Sequence, residues 1–124
     1  MPTPFSVLIV DDNPSMATAM VDILLATGYQ AYAATSGAEA LEILRAHSVH
    51  VLLTDVKMPD MDGLALYRAT RKLSPATTTI FMTAYAADEL IQQGLAEGIK
   101  TVLTKPVDID FLLLLIAALQ RIDR

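Results

Sequence analysis

The chain contains 124 residues, of which 53% are hydrophobic and 19% charged, and this length and apolar content exclude a disordered protein and indicate one domain with its own core. Nine basic and fourteen acidic residues give a net charge of −5, so nucleic acid and anionic membranes are not expected as direct partners. The absence of cysteine excludes disulfides, thiolate metal sites and cysteine nucleophiles.

Short apolar runs alternate with helical patterns along the chain. Pro14 favours the start of a first helix that stops at Gly28, and Ser36 and Glu39 have the spacing of a capping box at the start of a second. Strict alternation of strands with helices long enough to act as crossovers predicts an α/β fold with a parallel sheet. The expected strands are 6–10, 30–35, 49–54, 78–83 and 100–104, and the expected helices are 14–27, 36–47, 64–73, 87–97 and 108 onward.

Polar side chains follow four of these five strands. Asp11 and Asp12 follow the first strand, Asp55 the third, Thr83 ends the fourth, and Lys105 follows the fifth. In open parallel sheets, ligands bind beyond the carboxyl ends of the strands. A strand order of 2-1-3-4-5 would place these four ends side by side, as in flavodoxin-like folds.

Three carboxylates in one place repel one another and require a cation. Oxygen ligands without nearby histidine or cysteine favour Mg²⁺, with Mn²⁺ as a substitute. One carboxylate could then act as a nucleophile toward a phosphoryl group, while a hydroxyl and an ammonium group neutralise the phosphoryl oxygens. The strand ends therefore suggest phosphoryl transfer.

Together, these motifs resemble the receiver domain of response regulators in two-component signalling, the CheY-like superfamily. The resemblance extends from Ser6 to the last helix, and five motifs in this order are a specific signal. It implies a flavodoxin-like (βα)₅ three-layer sandwich with strand order 2-1-3-4-5. The five matching motifs are Asp11–Asp12, Asp55, the loop Met58–Gly63 that follows it, Thr83–Ala84 and Lys105–Pro106.

The resemblance also implies roles for the acidic residues. Asp55 matches the phosphoacceptor, which would take a phosphoryl group from the phosphohistidine of a sensor histidine kinase or from a phosphotransfer protein. Asp12 and Asp55 match direct Mg²⁺ ligands, and Asp11 matches the acid that acts through a metal-bound water. Lys57 occupies the position whose main-chain carbonyl binds the metal.

Two further residues match the groups that contact the phosphoryl group. Thr83 matches the hydroxyl that moves to bind it, and Lys105 matches the ammonium group that pairs with it. The Lys105–Pro106 bond is cis in this family. One departure is Val102, which occupies a position where the family often has an aromatic switch residue; Tyr85 is aromatic but is not at the matching position.

The resemblance predicts a signalling module rather than a metabolic enzyme. We expect residues 1–124 to be a single receiver domain, with a folded core of about 6–122 and no output domain. Phosphorylation would shift the face formed by the fourth helix, the fifth strand and the fifth helix to control a partner. The start of the chain lacks a signal peptide and the longest apolar run, Phe111–Leu119, is too short for a bilayer span of about 20 residues, so a cytoplasmic protein without membrane insertion is expected.

The run Phe111–Leu119 is apolar on every side of the last helix. A lone domain would leave part of it exposed, which suggests a homodimer or a kinase-docking surface. Alternatively, neighbouring elements cover it. By contrast, the basic side chains of Arg68, Arg71 and Lys72 are interpreted as a solvated helix face, and His47 and His50 as residues without a metal role.

Two other functions remain open at this stage. One is a Mg²⁺-dependent phosphohydrolase of the haloacid dehalogenase class, which carries an acid two residues after its nucleophile; here that position is Lys57, which is unsuited to general acid/base catalysis at its usual pKa. The other is a degenerate receiver that only binds partners, which the presence of all five key residues opposes.

Overall fold

The computed structural model describes residues 4–85 and 88–122. Five parallel strands form one sheet in the order β2-β1-β3-β4-β5, which confirms the predicted fold. The strands are β1 Ser6–Val10, β2 Gln30–Ala34, β3 Val51–Asp55, β4 Thr78–Thr83 and β5 Thr101–Thr104, and the helices are α1 Pro14–Ala26, α2 Gly37–Ala46, α3 Gly63–Leu73, α4 Glu89–Glu97 and α5 Ile109–Ile122.

Polar caps start the helices that follow the strands. The side chain of Asn13 accepts hydrogen bonds from the N–H groups of Ser15 and Met16, at 3.0 and 3.3 Å. Ser36 Oγ accepts from Glu39 N at 3.1 Å, whereas the Glu39 carboxylate accepts from Thr35 N rather than from the cap residue itself. The capping-box spacing therefore correctly located the start of α2.

The start of β3 differs from the prediction by two residues, because strand 49–54 was expected and β3 begins at Val51. At its entrance, the imidazole Nδ1 of His50 accepts the N–H of Ser6 at 3.0 Å, and the carbonyl of Val49 accepts the hydroxyl of Thr77 at 2.6 Å. Side-chain contacts thus add to the backbone hydrogen bonds that His50 makes with Ser6 and Thr78 just before the strand begins.

The other end of β3 extends one residue further than predicted. Asp55 pairs with Met82 in the ladder between β3 and β4. The candidate phosphoacceptor is therefore the last residue of a central strand and not the first residue of a loop. The predicted start of the fourth helix, Ala87, lies outside the described residues, and α4 begins at Glu89 after an Asp88 cap.

Both faces of the sheet are covered, as the continuous aliphatic strands predicted. Alternate residues of β1, Val7 and Ile9, pack with α1 and α5, whereas Leu8 packs with α2 and α3. A third cluster around Phe81 joins β4 to α3 and α4. In the described part of the chain, no helix has the length and apolar character to cross a membrane.

The last helix buries one stripe and exposes another. Leu112, Ile116 and Leu119 are buried against the sheet. By contrast, Phe111, Leu114 and Ile122 are 52%, 69% and 73% exposed, so neighbouring elements do not cover them in this domain.

Candidate functional site

Three carboxylates meet at the carboxyl edge of the sheet. Asp11 and Asp12 follow β1, and Asp55 ends the adjacent β3. Each offers one carboxylate oxygen, and these oxygens lie within 4.8 Å of one another. Asp11 is buried, Asp55 is half-buried and Asp12 is exposed, so the cluster opens to solvent on one side.

Lys105 joins two of these acids. Its Nζ donates hydrogen bonds to Asp11 Oδ2 and Asp55 Oδ2, both at 2.9 Å. The backbone of Lys105 is held in place, because its main-chain N–H donates to the carbonyl of Thr83 at 2.8 Å. The peptide bond between Lys105 and Pro106 is cis. The cis bond agrees with the resemblance.

One ammonium group does not balance three carboxylates. Burial raises the pKa of Asp55 above its usual value, and the hydrogen bond from Lys105 offsets this only in part, while the charges of Asp11 and Asp12 add to the rise. Burial alone would lower the pKa of Lys105, but its hydrogen bonds to Asp55 and Asp11 raise it. The contribution of Asp11 and Asp12 to the pKa of Asp55, which is smaller than that of burial, comes from negative charge that a cation would offset.

The cluster suits a hard divalent cation. Mg²⁺ takes six oxygen ligands at 2.0–2.1 Å, so opposite ligands lie about 4.2 Å apart. The oxygens of Asp11, Asp12 and Asp55 span at most 4.8 Å and need only small movements to reach such spacings. Because neither histidine nor cysteine belongs to this cluster, its donors do not favour zinc or copper.

Thr83 and Asp55 line the same cavity, of about 180 Å³, together with Lys105. Thr83 is buried, and its Oγ1 accepts the N–H of Tyr85 at 2.9 Å. The Tyr85 ring is 70% exposed at the mouth of the cavity. A carboxylate, a hydroxyl and an ammonium group thus line one space large enough for a phosphoryl group.

The side chain of Lys57 points away from the acids. Its Nζ pairs with Asp88 Oδ2 at 3.2 Å, and the Lys57 side chain is 67% exposed. The pair joins the loop after β3 to the loop after β4 across the mouth of the cavity. The ammonium group therefore adds no direct contact to the acid cluster.

Sequence reasoning missed a contact that holds the loop after β3. The Asp60 carboxylate accepts hydrogen bonds from Gly37 N and Ala38 N, at 3.1 and 2.9 Å, at the start of α2. The N–H of Ala38, then that of Gly37, lowers the pKa of Asp60 because both stabilise its ionised form. Helix starts commonly attract acids, but the sequence does not show which distant acid reaches them.

We expect Asp60→Ala to lower the free energy of unfolding by about 1 kcal/mol at neutral pH, because an exposed charged cap is lost. Since the folded-state pKa of Asp60 is depressed, its stabilisation is present above the unfolded pKa of about 3.9 and is lost as pH falls through the folded pKa. Urea unfolding at several pH values tests this. The control Glu42→Ala removes the same charge from an exposed position of α2, and an equal loss there would contradict the prediction.

Residues 7–117 match the response regulator receiver domain family. The sensor histidine kinase RcsC of Escherichia coli is 38% identical over 104 residues, which are 84% of this chain and 11% of RcsC. The transcriptional regulatory protein ZraR of Escherichia coli is also 38% identical over 104 residues, which are 24% of ZraR. The chain thus spans only a small part of the length of these curated relatives.

Solved structures show the same fold. A CheY-like receiver domain protein from Methanospirillum hungatei has a TM-score of 0.88 and 30% identity, with 96% of both chains covered. The receiver domain of the Francisella response regulator 1452 has a TM-score of 0.86 and 30% identity, and covers 98% of this chain and 100% of its own. The fold, the matched residues and the identities together show that this chain belongs to the response regulator receiver domain family of two-component signalling.

Proposed function

We propose that this receiver domain accepts a phosphoryl group on Asp55 from the phosphohistidine of a sensor histidine kinase or a phosphotransfer protein. The observation that carries the proposal is the shared lysine: Lys105 contacts Asp55 and Asp11 at 2.9 Å and lines one cavity with Thr83. An Asp55 carboxylate oxygen forms a bond to phosphorus while the bond between phosphorus and the histidine nitrogen breaks. The product is an acyl phosphate, and the histidine keeps the nitrogen electron pair.

The two oxygens of Asp55 have different partners. Oδ1 accepts the N–H of Val56 at 3.0 Å, and Oδ2 accepts Lys105 Nζ at 2.9 Å. The backbone contact fixes the carboxylate plane, while the Lys105 ammonium group lies where charge accumulates on a phosphoryl oxygen. Thr83 Oγ1 accepts the N–H of Tyr85 in this structure. After a movement of its side chain, the Thr83 hydroxyl donates to another phosphoryl oxygen.

Asp11, Asp12, Asp55 and the main-chain carbonyl of Lys57 are the proposed ligands of Mg²⁺, for which Mn²⁺ can substitute. When bound, the metal supplies positive charge that offsets the carboxylates and the incoming phosphoryl oxygens. In a solved response regulator from Burkholderia pseudomallei, 26% identical, the structure contains a phosphorylated aspartic acid and a calcium ion. That protein supports the expectation that this fold combines a modified aspartate with a divalent cation.

The signal passes through the face formed by α4, β5 and α5. Thr83 ends β4, and its hydroxyl accepts the N–H of Tyr85. A movement of this hydroxyl toward a phosphoryl group would break that hydrogen bond and release the backbone of Tyr85, which precedes α4. Val102 is half-buried and packs with the cluster around Phe81, without an aromatic ring to rotate. The proposed switch therefore relies on the β4–α4 connection and not on an aromatic residue in β5.

The test is incubation with acetyl phosphate or phosphoramidate and Mg²⁺, followed by intact mass measurement. We expect a gain of one phosphoryl group, and no gain for Asp55→Asn or when a chelator removes the metal. Asn keeps the shape of the side chain but is not a nucleophile. The absence of an adduct under every condition would refute phosphoacceptance and favour a receiver that only binds partners. Rapid turnover of the donor would favour a phosphohydrolase.

We also propose that the exposed residues Phe111 and Leu114 of α5 form a surface for a second copy of the chain or for the kinase. We expect sedimentation to show association that grows with concentration, and Leu114→Glu to weaken it about tenfold or more by burying a charge. Glu42→Lys is the control, because Glu42 is an exposed residue of α2, which packs on the opposite face of the sheet from α5. A strictly monomeric wild type would exclude self-association.

The proposed donors set the compartment. A sensor kinase forms its phosphohistidine from a nucleoside triphosphate in the cytoplasm. The proposal therefore assigns this domain to the cytoplasm. Residues 6–122 would act as the receiver unit.

A further inference from the structure

The loop between β3 and α3, residues 56–62, is attached to the start of α2. The carboxylate of Asp60 accepts the N–H of Gly37 on Oδ1 at 3.1 Å and the N–H of Ala38 on Oδ2 at 2.9 Å. The side chain of Met61 packs so closely on Gly37 that a Cβ there would overlap its Cγ and Sδ atoms. A polar and an apolar contact thus hold this loop, called the β3–α3 loop below, against one helix.

The helix α2 is a fixed base for these contacts. Its residues Ala40 and Leu44 are buried in the cluster that joins α2 to the sheet. The N–H groups of Gly37 and Ala38 belong to the first turn of α2, where a helix has no acceptors of its own. The two oxygens of Asp60 therefore supply acceptors that the helix lacks, and solvent exchange of these amides reports directly on the contact with the loop.

The β3–α3 loop also carries a proposed metal ligand, the main-chain carbonyl of Lys57. In the part of the chain that the structure describes, this oxygen accepts no hydrogen bond, so it is available to a cation. The loop closes through one backbone hydrogen bond, from the N–H of Gly63 to the carbonyl of Val56 at 2.7 Å. Among the described residues, no backbone-to-backbone hydrogen bond involves residues 57–61, so side chains determine the position of this segment.

Two polar side-chain contacts hold the segment, and they differ in strength. Lys57 pairs with Asp88 at 3.2 Å, but the Lys57 side chain is 67% exposed, and exposed ion pairs contribute little. Asp60 makes two charge-assisted hydrogen bonds to backbone N–H groups, which are stronger. Since Mg²⁺ demands near-ideal octahedral geometry, a displaced ligand weakens its binding. The Asp60 contact is therefore the main polar constraint on the carbonyl three residues earlier.

We propose that Asp60 is a positioning residue for Mg²⁺, because it holds on α2 the loop that provides the Lys57 carbonyl. This inference rests on the metal site of the proposed function. Coupling between two equilibria is reciprocal, so if the Asp60 contact favours metal binding, the metal stabilises the Asp60 contact by the same factor. Occupation of the metal site is thus felt at the start of α2, outside the face formed by α4, β5 and α5.

Solvent exchange of the wild-type amides, measured by NMR, tests the reciprocal effect. The ¹⁵N-labelled protein is compared in saturating Mg²⁺ and in EDTA at constant ionic strength. We expect Mg²⁺ to slow the exchange of the Ala38 amide about tenfold. The Glu39 amide is the internal control, because it donates to Ser36 Oγ at 3.1 Å and not to the β3–α3 loop, and its exchange should change much less.

Titration with Mg²⁺ measures the effect of Asp60 on affinity. The N–H groups of Asn13 and Val56 donate to the carboxylates of Asp11 and Asp55, both at 3.0 Å, so their chemical shifts report occupation of the site. We expect Asp60→Ala to bind Mg²⁺ about tenfold more weakly than the wild type. Thermal unfolding checks that the variant is folded, and the exchange measurement on the wild type does not depend on it.

Two further variants separate position from charge. Glu42→Ala removes one negative charge from an exposed residue of α2 outside the loop, and it should leave the affinity unchanged. Asp60→Asn removes the charge but keeps one acceptor oxygen, so its affinity should lie between those of Asp60→Ala and the wild type. Wild-type affinity in Asp60→Ala, equal weakening by Glu42→Ala, or an Ala38 amide unaffected by bound Mg²⁺ would each overturn the proposal. A wild type without saturable shifts at Asn13 and Val56 would refute the metal site itself.

Discussion

Replacement of Lys105 by Met is expected to slow the phosphorylation of Asp55 on the order of 100-fold, because a positive group at the phosphoryl oxygens is lost. The same change should lower the free energy of unfolding by about 3 kcal/mol in the absence of metal, since Asp11 and Asp55 lose their shared partner. Methionine keeps most of the length of lysine without its charge. Intact mass against time and urea unfolding measure the two effects.

The stability loss in Lys105→Met should depend on pH and on metal. Burial already raises the pKa of Asp55 in the folded wild type, so stability is lost as pH rises from the unfolded pKa of this carboxyl group to its folded pKa. Without Lys105 that cost increases, and the loss should shrink in acid, where the carboxyl groups are protonated. Mg²⁺ should restore part of it by binding the folded state.

Lys57→Met is the control for this prediction. It removes the same charge from another residue that lines the cavity, but its Nζ pairs with Asp88 at the exposed mouth. We expect much less destabilisation than for Lys105→Met, because exposed ion pairs contribute little to stability. If the two variants behaved alike, general electrostatic attraction rather than the Lys105 contacts would explain the result.

Gly63→Ala is expected to have the second largest effect, a destabilisation of about 3 kcal/mol. A Cβ at Gly63 would lie 2.7 Å from the carbonyl oxygen of Asp55 and 3.1 Å from the Cα of Val56. Both are backbone atoms, so relief requires movement of the chain that carries Asp55, the proposed phosphoacceptor. We therefore expect slower phosphorylation as well as a lower midpoint of urea unfolding.

Gly37→Ala is a matched comparison, because Gly37 is also the first residue of a helix. A Cβ at Gly37 would meet the side chain of Met61, which is flexible and only half-buried. Rotation of that side chain can relieve the contact, so the cost should be clearly smaller than at Gly63. A larger loss for Gly37→Ala would contradict this account.

The central site could be predicted from the sequence because, in a parallel sheet, the residues that end or follow the strands all lie at the same edge. Once Asp11, Asp55, Thr83 and Lys105 are assigned to the ends of strands, the order of the strands brings them together without further information. The hydrogen bonds of Lys105 to two of these acids follow from that arrangement.

Contacts between loops and helix starts could not be anticipated in this way. The pairing of Asp60 with Gly37 and Ala38 joins residues more than 20 positions apart through a loop of irregular geometry. At the entrance to β3, the N–H of Ser6 donates to the side chain of His50 and not to a carbonyl group. Propensity and periodicity describe regular backbone, whereas these positions depend on individual side chains.

The bond from Lys105 to Asp11 joins residues separated by 94 positions, and that to Asp55 by 50. During synthesis, β1 and β3 are complete long before the lysine exists. A nascent or truncated chain that ends before Lys105 therefore carries the acids without the ammonium group that stabilises them. The end of the fifth strand thus supplies the shared partner of acids at the ends of the first and third, so these contacts form only after β5 has been translated.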